Sequence, residues 1–253
     1  GIAAVSFVPQ SAKRMGPLAV EAGADMIVVQ GTVVTARHSS KSLKGLVFSD
    51  LIKDLDVPVL VGNTVSYEVT KELMQQGIAG VMVGVGPGSV CTSREVLGIG
   101  IPQVSATIEC AAARDDYFKE TGKYIPIITD GGIRTGGDVC KSFAAGANAV
   151  MIGSPFAKTE EAPAKGFHWG MAAWHDSLPR GTRINMGTEY SLHQLLYGPS
   201  SRTDGTLNLV GALQICMGYV GAENIREMNK ARMVYAPAIK TEGKIYQQAG
   251  LGS

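Results

Sequence analysis

The sequence predicts an α/β fold of the (β/α)8 TIM-barrel class, on three observations. Six short, nearly continuous apolar runs recur at residues 2–7, 26–30, 58–62, 81–85, 126–130 and 150–153, the pattern of parallel strands buried on both faces. Helix-length segments lie between them, among them 49–55, 66–76 and 138–145. A similar turn closes three helices: Ala22-Gly23-Ala24-Asp25, Gln76-Gly77-Ile78-Ala79 and Ala145-Gly146-Ala147-Asn148. Each has glycine where a left-handed residue ends a helix. Repeating βα units make a doubly wound sheet or a barrel. Six strands are two short of an eight-stranded barrel, so the first two βα units are expected to lie before Gly1. The opening Gly1-Ile2-Ala3, with no initiator methionine, fits that expectation.

The length of 253 residues suits one barrel, and 45% hydrophobic against 18% charged residues argues for a packed core and against disorder. A net charge of +1 recruits neither nucleic acid nor anionic lipid, so any anion must be bound locally. Cys91, Cys110, Cys140 and Cys216 match neither a metal pair nor a disulfide framework, which points to a reducing, cytoplasmic setting. No apolar run approaches the roughly 20 residues of a membrane span. The chain reads as a single catalytic barrel domain over 1–253. The strand pattern stops after Ser154; residues 158–235 read as a flap or insert with two helices, the clearer one at 209–217, and 236–253 as a tail.

The densest chemical signal is Val83-Gly84-Val85-Gly86-Pro87-Gly88-Ser89-Val90-Cys91-Thr92-Ser93-Arg94. It follows the fourth visible strand, at the C-terminal mouth where barrel enzymes place their active sites. Its glycines free backbone groups to turn towards a ligand or ion. A thiolate at Cys91 would be stabilised by nearby amides and Arg94. Two further loops, Asp130-Gly131-Gly132-Ile133-Arg134-Thr135-Gly136-Gly137-Asp138 and Met151-Ile152-Gly153-Ser154, follow the last two strands. In barrels those loops commonly bind phosphate through amides and a helix N-terminus. The bland alternatives are a Gly-rich turn around an inert cysteine and a tight strand-to-helix turn. His38, His168, His175 and His193 lack metal-ligand spacing, and no nucleophile elbow, Walker loop or Rossmann fingerprint is present.

Together with Gly98-Ile99-Gly100-Ile101-Pro102-Gln103 and Thr159-Glu160-Glu161-Ala162-Pro163, these motifs resemble the IMP dehydrogenase/GMP reductase family, in family order over nearly the whole chain. Gly166-Phe167-His168-Trp169-Gly170-Met171 and Leu178-Pro179-Arg180-Gly181-Thr182-Arg183 resemble its IMP dehydrogenase-related branch without regulatory domains. The resemblance implies oxidation of IMP to XMP with NAD, Cys91 forming a covalent thioimidate with the purine. It also implies a homo-tetramer or octamer and a potassium ion. Ser89, Gly131, Gly132, Gly153 and Ser154 would hold the 5′-phosphate, and Asp130 the ribose. Met151, Gly170, Met171, Arg180 and Gly181 would surround the base. Gln30, Asn63 and Gly84 would face the cofactor. Carbonyls of Gly86, Gly88 and Cys91 would ligate potassium, with Glu242 completing the site from a neighbouring subunit. Three departures stand out. Gln30-Gly31 replaces Asp-Ser, Ser93 replaces a threonine, and the flap between Met171 and Arg180 is very short. The family's water-activating Arg-Tyr pair has no evident counterpart, which leaves Arg183 and Tyr190 as candidates. GMP reductase, a non-catalytic purine-nucleotide binder and a flavin-dependent barrel are the alternatives.

Overall fold

The computed structural model describes residues 1–31, 46–171 and 182–235. Its first part alternates β1 (Ala4–Phe7), α1 (Pro9–Glu21), β2 (Met26–Gln30), α2 (Phe48–Lys53), β3 (Val59–Thr64), α3 (Tyr67–Gln75) and β4 (Gly80–Val83). There follow α4 (Ser93–Leu97), α5 (Gln103–Thr121), β5 (Ile127–Asp130), α6 (Gly136–Ala144) and β6 (Ala149–Met151). All six strands expected from the sequence are present, and they pair in chain order, every pair parallel. Gly23, Gly77 and Gly146 take φ of 97°, 84° and 106°, as the three helix-closing turns require.

The sheet is curled, and side chains prove it. Gln30 ends β2 and Asp130 ends β5, with β3 and β4 between them. In a flat sheet, strands three positions apart are separated by about 14 Å. Yet Gln30 Nε2 donates to Asp130 Oδ2 at 2.9 Å. The C-terminal ends of β2 and β5 therefore face each other across an arc, as in a barrel. Among the described residues, β1 and β6 each pair with a single neighbour.

Two cores support this arc. One packs β2, β3 and β4 against the flanking helices through Ile27, Val29, Val59, Val61, Leu73, Met74 and Val81. The other joins α6 to the C-terminal part through Val139, Phe143, Leu195, Leu209 and Met228. That part departs from expectation. Besides α7 (Ser154–Ala157), it holds three helices, α8 (Leu192–Tyr197), α9 (Leu209–Val220) and α10 (Ile225–Met228), where two were expected. It also holds an antiparallel ribbon of β7 (Phe167–Trp169) and β8 (Arg183–Asn185), with Trp169 opposite Arg183. Strands of three residues are too short to show a period in sequence. No described helix is long and apolar enough to cross a membrane.

Candidate active site

The cysteine loop leaves β4 and is stapled to the end of β5. Gly84, at φ 137°, is buried, and a Cβ there would strike the Asp130 carbonyl and the Gln103 side chain. Gln103 Nε2 donates to the Val83 carbonyl at 2.7 Å and approaches that of Asp130 at 3.4 Å. Gly84 is therefore a packing position beneath the mouth, not the cofactor-facing one expected from the sequence. Above it, Gly131 and Gly132 lean on Pro87: a Cβ on either would lie 3.0–3.1 Å from the proline ring. The cysteine loop and the Asp130-Gly131-Gly132 turn thus form one continuous wall.

Within that wall Cys91 is half-buried, and its amide donates to the Gly88 carbonyl at 3.0 Å. Ser93, the first residue of α4, is 2% exposed. Arg94 does not turn to the thiol. Its Nη2 donates to the Ile101 carbonyl at 2.9 Å, and its stem packs over Gly86 and Gly100. The guanidinium clamps the loop shut and is not turned to the thiolate-stabilising role expected of it. Two other thiols are chemically subdued. Burial pushes Cys110 up to about 12 and raises Cys140 as well. Cys91 stands on the mouth loop and those two lie in helices α5 and α6.

Within the same loop, Ser89 reaches Ser154, after β6, and the two hydroxyls lie 2.6 Å apart. Ser154 Oγ lies 3.0 Å from His168 Nδ1, and the His168 ring rests on the bare face of Gly153. Burial holds the His168 pKa below the ordinary imidazole value, so the ring favours its neutral form. His168 was missed as a site residue by reasoning from sequence, which weighed the histidines only as metal ligands. Its place two residues before Gly170-Met171 was the available signal. The N-terminus of α6, in contrast, is closed by its own capping box: Asp138 accepts from the amides of Arg134 and Thr135 at 3.1 Å each. The donors at this mouth that an anion could meet are the Gly132, Gly153 and Ser154 amides and the Ser89 and Ser154 hydroxyls, the Gly131 amide already reaching the Met151 carbonyl at 3.4 Å.

Asp130 ends β5, immediately before the Gly131-Gly132 turn. Gln30 Nε2 and Asn63 Nδ2 both donate to its Oδ2, at 2.9 and 2.8 Å. Ser6 Oγ donates to Gln30 Oε1 at 2.7 Å, and Met151 Sδ is 3.8 Å from Gln30 Nε2. Burial raises the Asp130 carboxyl pKa, and the hydrogen bonds from Asn63 and Gln30 pull it part of the way back. Gln30 and Asn63, expected to face a cofactor, are turned onto this carboxylate.

The remaining candidates divide. Gly170 lies against the Val90 carbonyl and donates to that of Thr182 at 2.9 Å, which places Gly170-Met171 beside the cysteine loop. Arg183 is exposed and stacks on Phe167 and Trp169, at 4.0 and 5.3 Å from the ring centroids. Tyr190 is 5% exposed and belongs to the second core, its hydroxyl donating to the Pro155 carbonyl at 3.3 Å. That is a structural seat, and it removes Tyr190 from the candidates for activating water. Arg180, Gly181 and Glu242 lie outside the described residues. Of the expected potassium carbonyls, that of Gly88 already accepts from the Cys91 amide. Among the described residues no cluster of His, Cys, Asp and Glu could hold a metal.

Comparison with known proteins identifies the family. The model of the IMP dehydrogenase/GMP reductase domain matches residues 2–176. An uncharacterized oxidoreductase of Mycolicibacterium smegmatis is 42% identical over 231 residues, covering 90% of this chain and 62% of the relative. The inosine-5′-monophosphate dehydrogenase of Aquifex aeolicus is 39% identical over 249 residues, 92% of this chain and 49% of that protein. The crystal structure of an IMP dehydrogenase/GMP reductase-like protein from Corynebacterium glutamicum superposes with a TM-score of 0.83 at 36% identity, covering 93% of this chain and 62% of that one. The chain thus spans from about half to less than two thirds of the length of these proteins. With the cysteine loop, the paired glycine turns and the curled parallel sheet, the match over most of its residues places the chain in the IMP dehydrogenase/GMP reductase family.

Proposed function

We propose that the protein oxidises IMP to XMP with NAD, through a covalent intermediate on Cys91. The observation that carries this reading is the single mouth that unites Cys91, the serine–histidine seat and the Asp130 carboxylate. A nucleoside monophosphate offers matching parts. Its phosphate suits Ser89, Ser154 and the Gly131-Gly132 turn. Its ribose hydroxyls suit Asp130, as donors to a carboxylate. Its base would then lie between Cys91 and Gly170-Met171.

The chemistry follows from placing a thiolate against an electrophilic purine carbon. Cys91 Sγ bonds to C2, and the hydride at C2 departs, leaving a thioimidate. NAD, as co-substrate, supplies the hydride acceptor. Water then adds to C2, the C2–S bond breaks, and XMP leaves with the Cys91 thiol restored. Arg183 is the candidate in the described part for orienting that water. The carbonyls of Gly86, Gly88 and Cys91, with Glu242 of a neighbouring subunit, would supply a potassium site in a tetramer or octamer. No step of the reaction is routed through that ion.

The test is direct. IMP with NAD, and separately GMP with NADPH, are added to the protein while absorbance reports reduced cofactor. Growth of the signal with IMP and NAD supports the reading. Loss of signal with GMP and NADPH alone makes the protein a reductase. No change in either refutes both activities.

A further inference from the structure

We infer that Gln30 is a positioning residue, which holds the Asp130 carboxylate in the one orientation that receives the ribose of the substrate. This rests on the nucleotide reading above and deepens it. The geometry is a three-link chain across the mouth. Ser6 Oγ, on β1, donates to Gln30 Oε1 at 2.7 Å, and Gln30 Nε2, on β2, donates to Asp130 Oδ2 on β5 at 2.9 Å.

The second link fixes the first. An ionised carboxylate only accepts, so Gln30 presents N–H to Asp130, and its oxygen is left to accept from the Ser6 hydroxyl. Asn63 donates to the same oxygen at 2.8 Å. Two amides therefore hold Asp130 Oδ2, and the carboxylate cannot rotate without breaking both bonds. Its other oxygen is left to receive the ligand. Gln30 itself is 5% exposed, too deep to serve as a general surface contact. A glutamine is suited to this place in a way an acid is not: a second carboxylate beside Asp130 would oppose its ionisation.

The groups facing Asp130 among the described residues are Gln30 from β2, Asn63 from β3, Gly84 and Gln103 beside its carbonyl, and Met151 from β6. All are uncharged. Without a neighbouring cation, hydrogen bonding alone offsets the burial that raises the carboxyl pKa. Removing the Gln30 donor must therefore move the pH at which Asp130 ionises upward, whereas a loss of packing that admitted water would move it downward.

Calorimetric titration of IMP and of 2′-deoxy-IMP into wild type, Gln30→Leu and Gln30→Glu, over a pH series, tests this. Gln30→Leu is expected to weaken IMP about tenfold, the scale of one hydrogen bond to a charged group. It should weaken 2′-deoxy-IMP by less than about threefold, shrinking the ribose preference, because that ligand lacks one of the hydroxyls that the carboxylate receives. The acid limb of IMP affinity should move to higher pH. Gln30→Glu keeps the shape and the bond to Ser6. It should bind IMP worst at neutral pH and recover on mild acidification, when its protonated carboxyl can donate to Asp130. Should Gln30→Leu fail to fold, this inverted pH trend decides alone. An unchanged ribose preference together with an unshifted acid limb in Gln30→Leu, or a normal pH profile in Gln30→Glu, overturns the role of Gln30. A wild-type protein that binds neither nucleotide overturns the nucleotide reading itself, and this inference with it.

Discussion

Replacing Gly153 by alanine probes the seat proposed for phosphate, because the added methyl has one neighbour to displace. A Cβ at Gly153 would lie 2.8 Å from His168 Cε1 and 2.9 Å from Nε2. Ordinary carbon contacts fall near 3.5–4.0 Å, so the ring must retreat by roughly 0.7 Å or more. The backbone does not object: Gly153 has φ −101° and ψ −73°, open to any L-residue. The whole effect is thus steric. Overpacking of this kind costs about 1–3 kcal/mol. A displaced ring also forfeits its 3.0 Å contact with Ser154 Oγ, a hydrogen bond contributing on the order of 1 kcal/mol. Taking about 2 kcal/mol and 2–4 °C per kcal/mol for a chain of this size, the melting temperature should fall by about 4–8 °C. Nucleotide affinity should drop about tenfold as Ser154 loses its partner. The decisive measurement is a double-mutant cycle with His168→Ala. With the ring gone the methyl has room, so Gly153→Ala in that background should be nearly silent, a coupling of about 1–2 kcal/mol. Urea unfolding and calorimetric titration of IMP report the two readouts. Additive effects, within about 0.5 kcal/mol, would show that Gly153 and His168 do not share this seat.

Other perturbations test other parts of the mouth. Cys91→Ala should reduce kcat at least about a thousandfold while IMP affinity changes less than about threefold; appreciable turnover in this variant would sink the covalent mechanism. Asp130→Asn separates binding from stability. The fold raises the Asp130 carboxyl pKa, so its contribution to stability is fully present below the unfolded-state pKa and is lost as pH rises through the higher folded value. The neutral variant should lose that decline: stability at pH 7 at or above wild type, with IMP binding weaker by about 10- to 100-fold. A melting temperature that falls between the two pKa values as steeply as in wild type would place the cause elsewhere. Gly136→Ala drives a methyl onto Ala212 where α6 crosses α9. Unfolding in urea should show a loss of about 1–3 kcal/mol, rescued by Ala212→Gly, with kcat per folded molecule unchanged.

How far the sequence could be read follows from how each feature encodes itself. The central strands were legible because both faces are buried, as in β4, buried at all four positions of Gly80-Val81-Met82-Val83; the edge strands β1 and β6 are more exposed here and were legible by their apolar composition. The helix-closing glycines were legible because positive φ leaves few choices of residue. Helix α5 announces itself poorly: apart from Tyr117, its buried side is made of Ala106, Thr107, Cys110, Ala111, Ala113 and Arg114, small or polar residues with no apolar stripe. Arg114 is buried there because Nη1 donates to the Gly146 carbonyl at 2.6 Å and to Asn148 at 2.9 Å, partners more than thirty residues away in sequence. The ribbon β7–β8 was invisible for its shortness. Within the site, loops read as motifs came together as expected. Side chains whose role depends on a distant partner did not: Arg94, Tyr190 and Gln30 carry the right chemistry for one task and are committed to another.

Gln30 shows why such commitments matter. The bond from β2 to β5 is possible only because the sheet curls, and that curl is set by the strands and helices of the first core. The ribose recognition proposed at Asp130 would thereby be tied to curvature, since any change that opens the arc draws Gln30 and Asn63 away from the carboxylate together. A buried carboxylate without a nearby cation is a costly thing to maintain. With its two amide donors withdrawn, burial would favour its protonated form, and the acceptor that a ribose needs would be lost. On the proposed reading, the mouth would accept a nucleotide only while the arc is closed enough to keep these donors within reach.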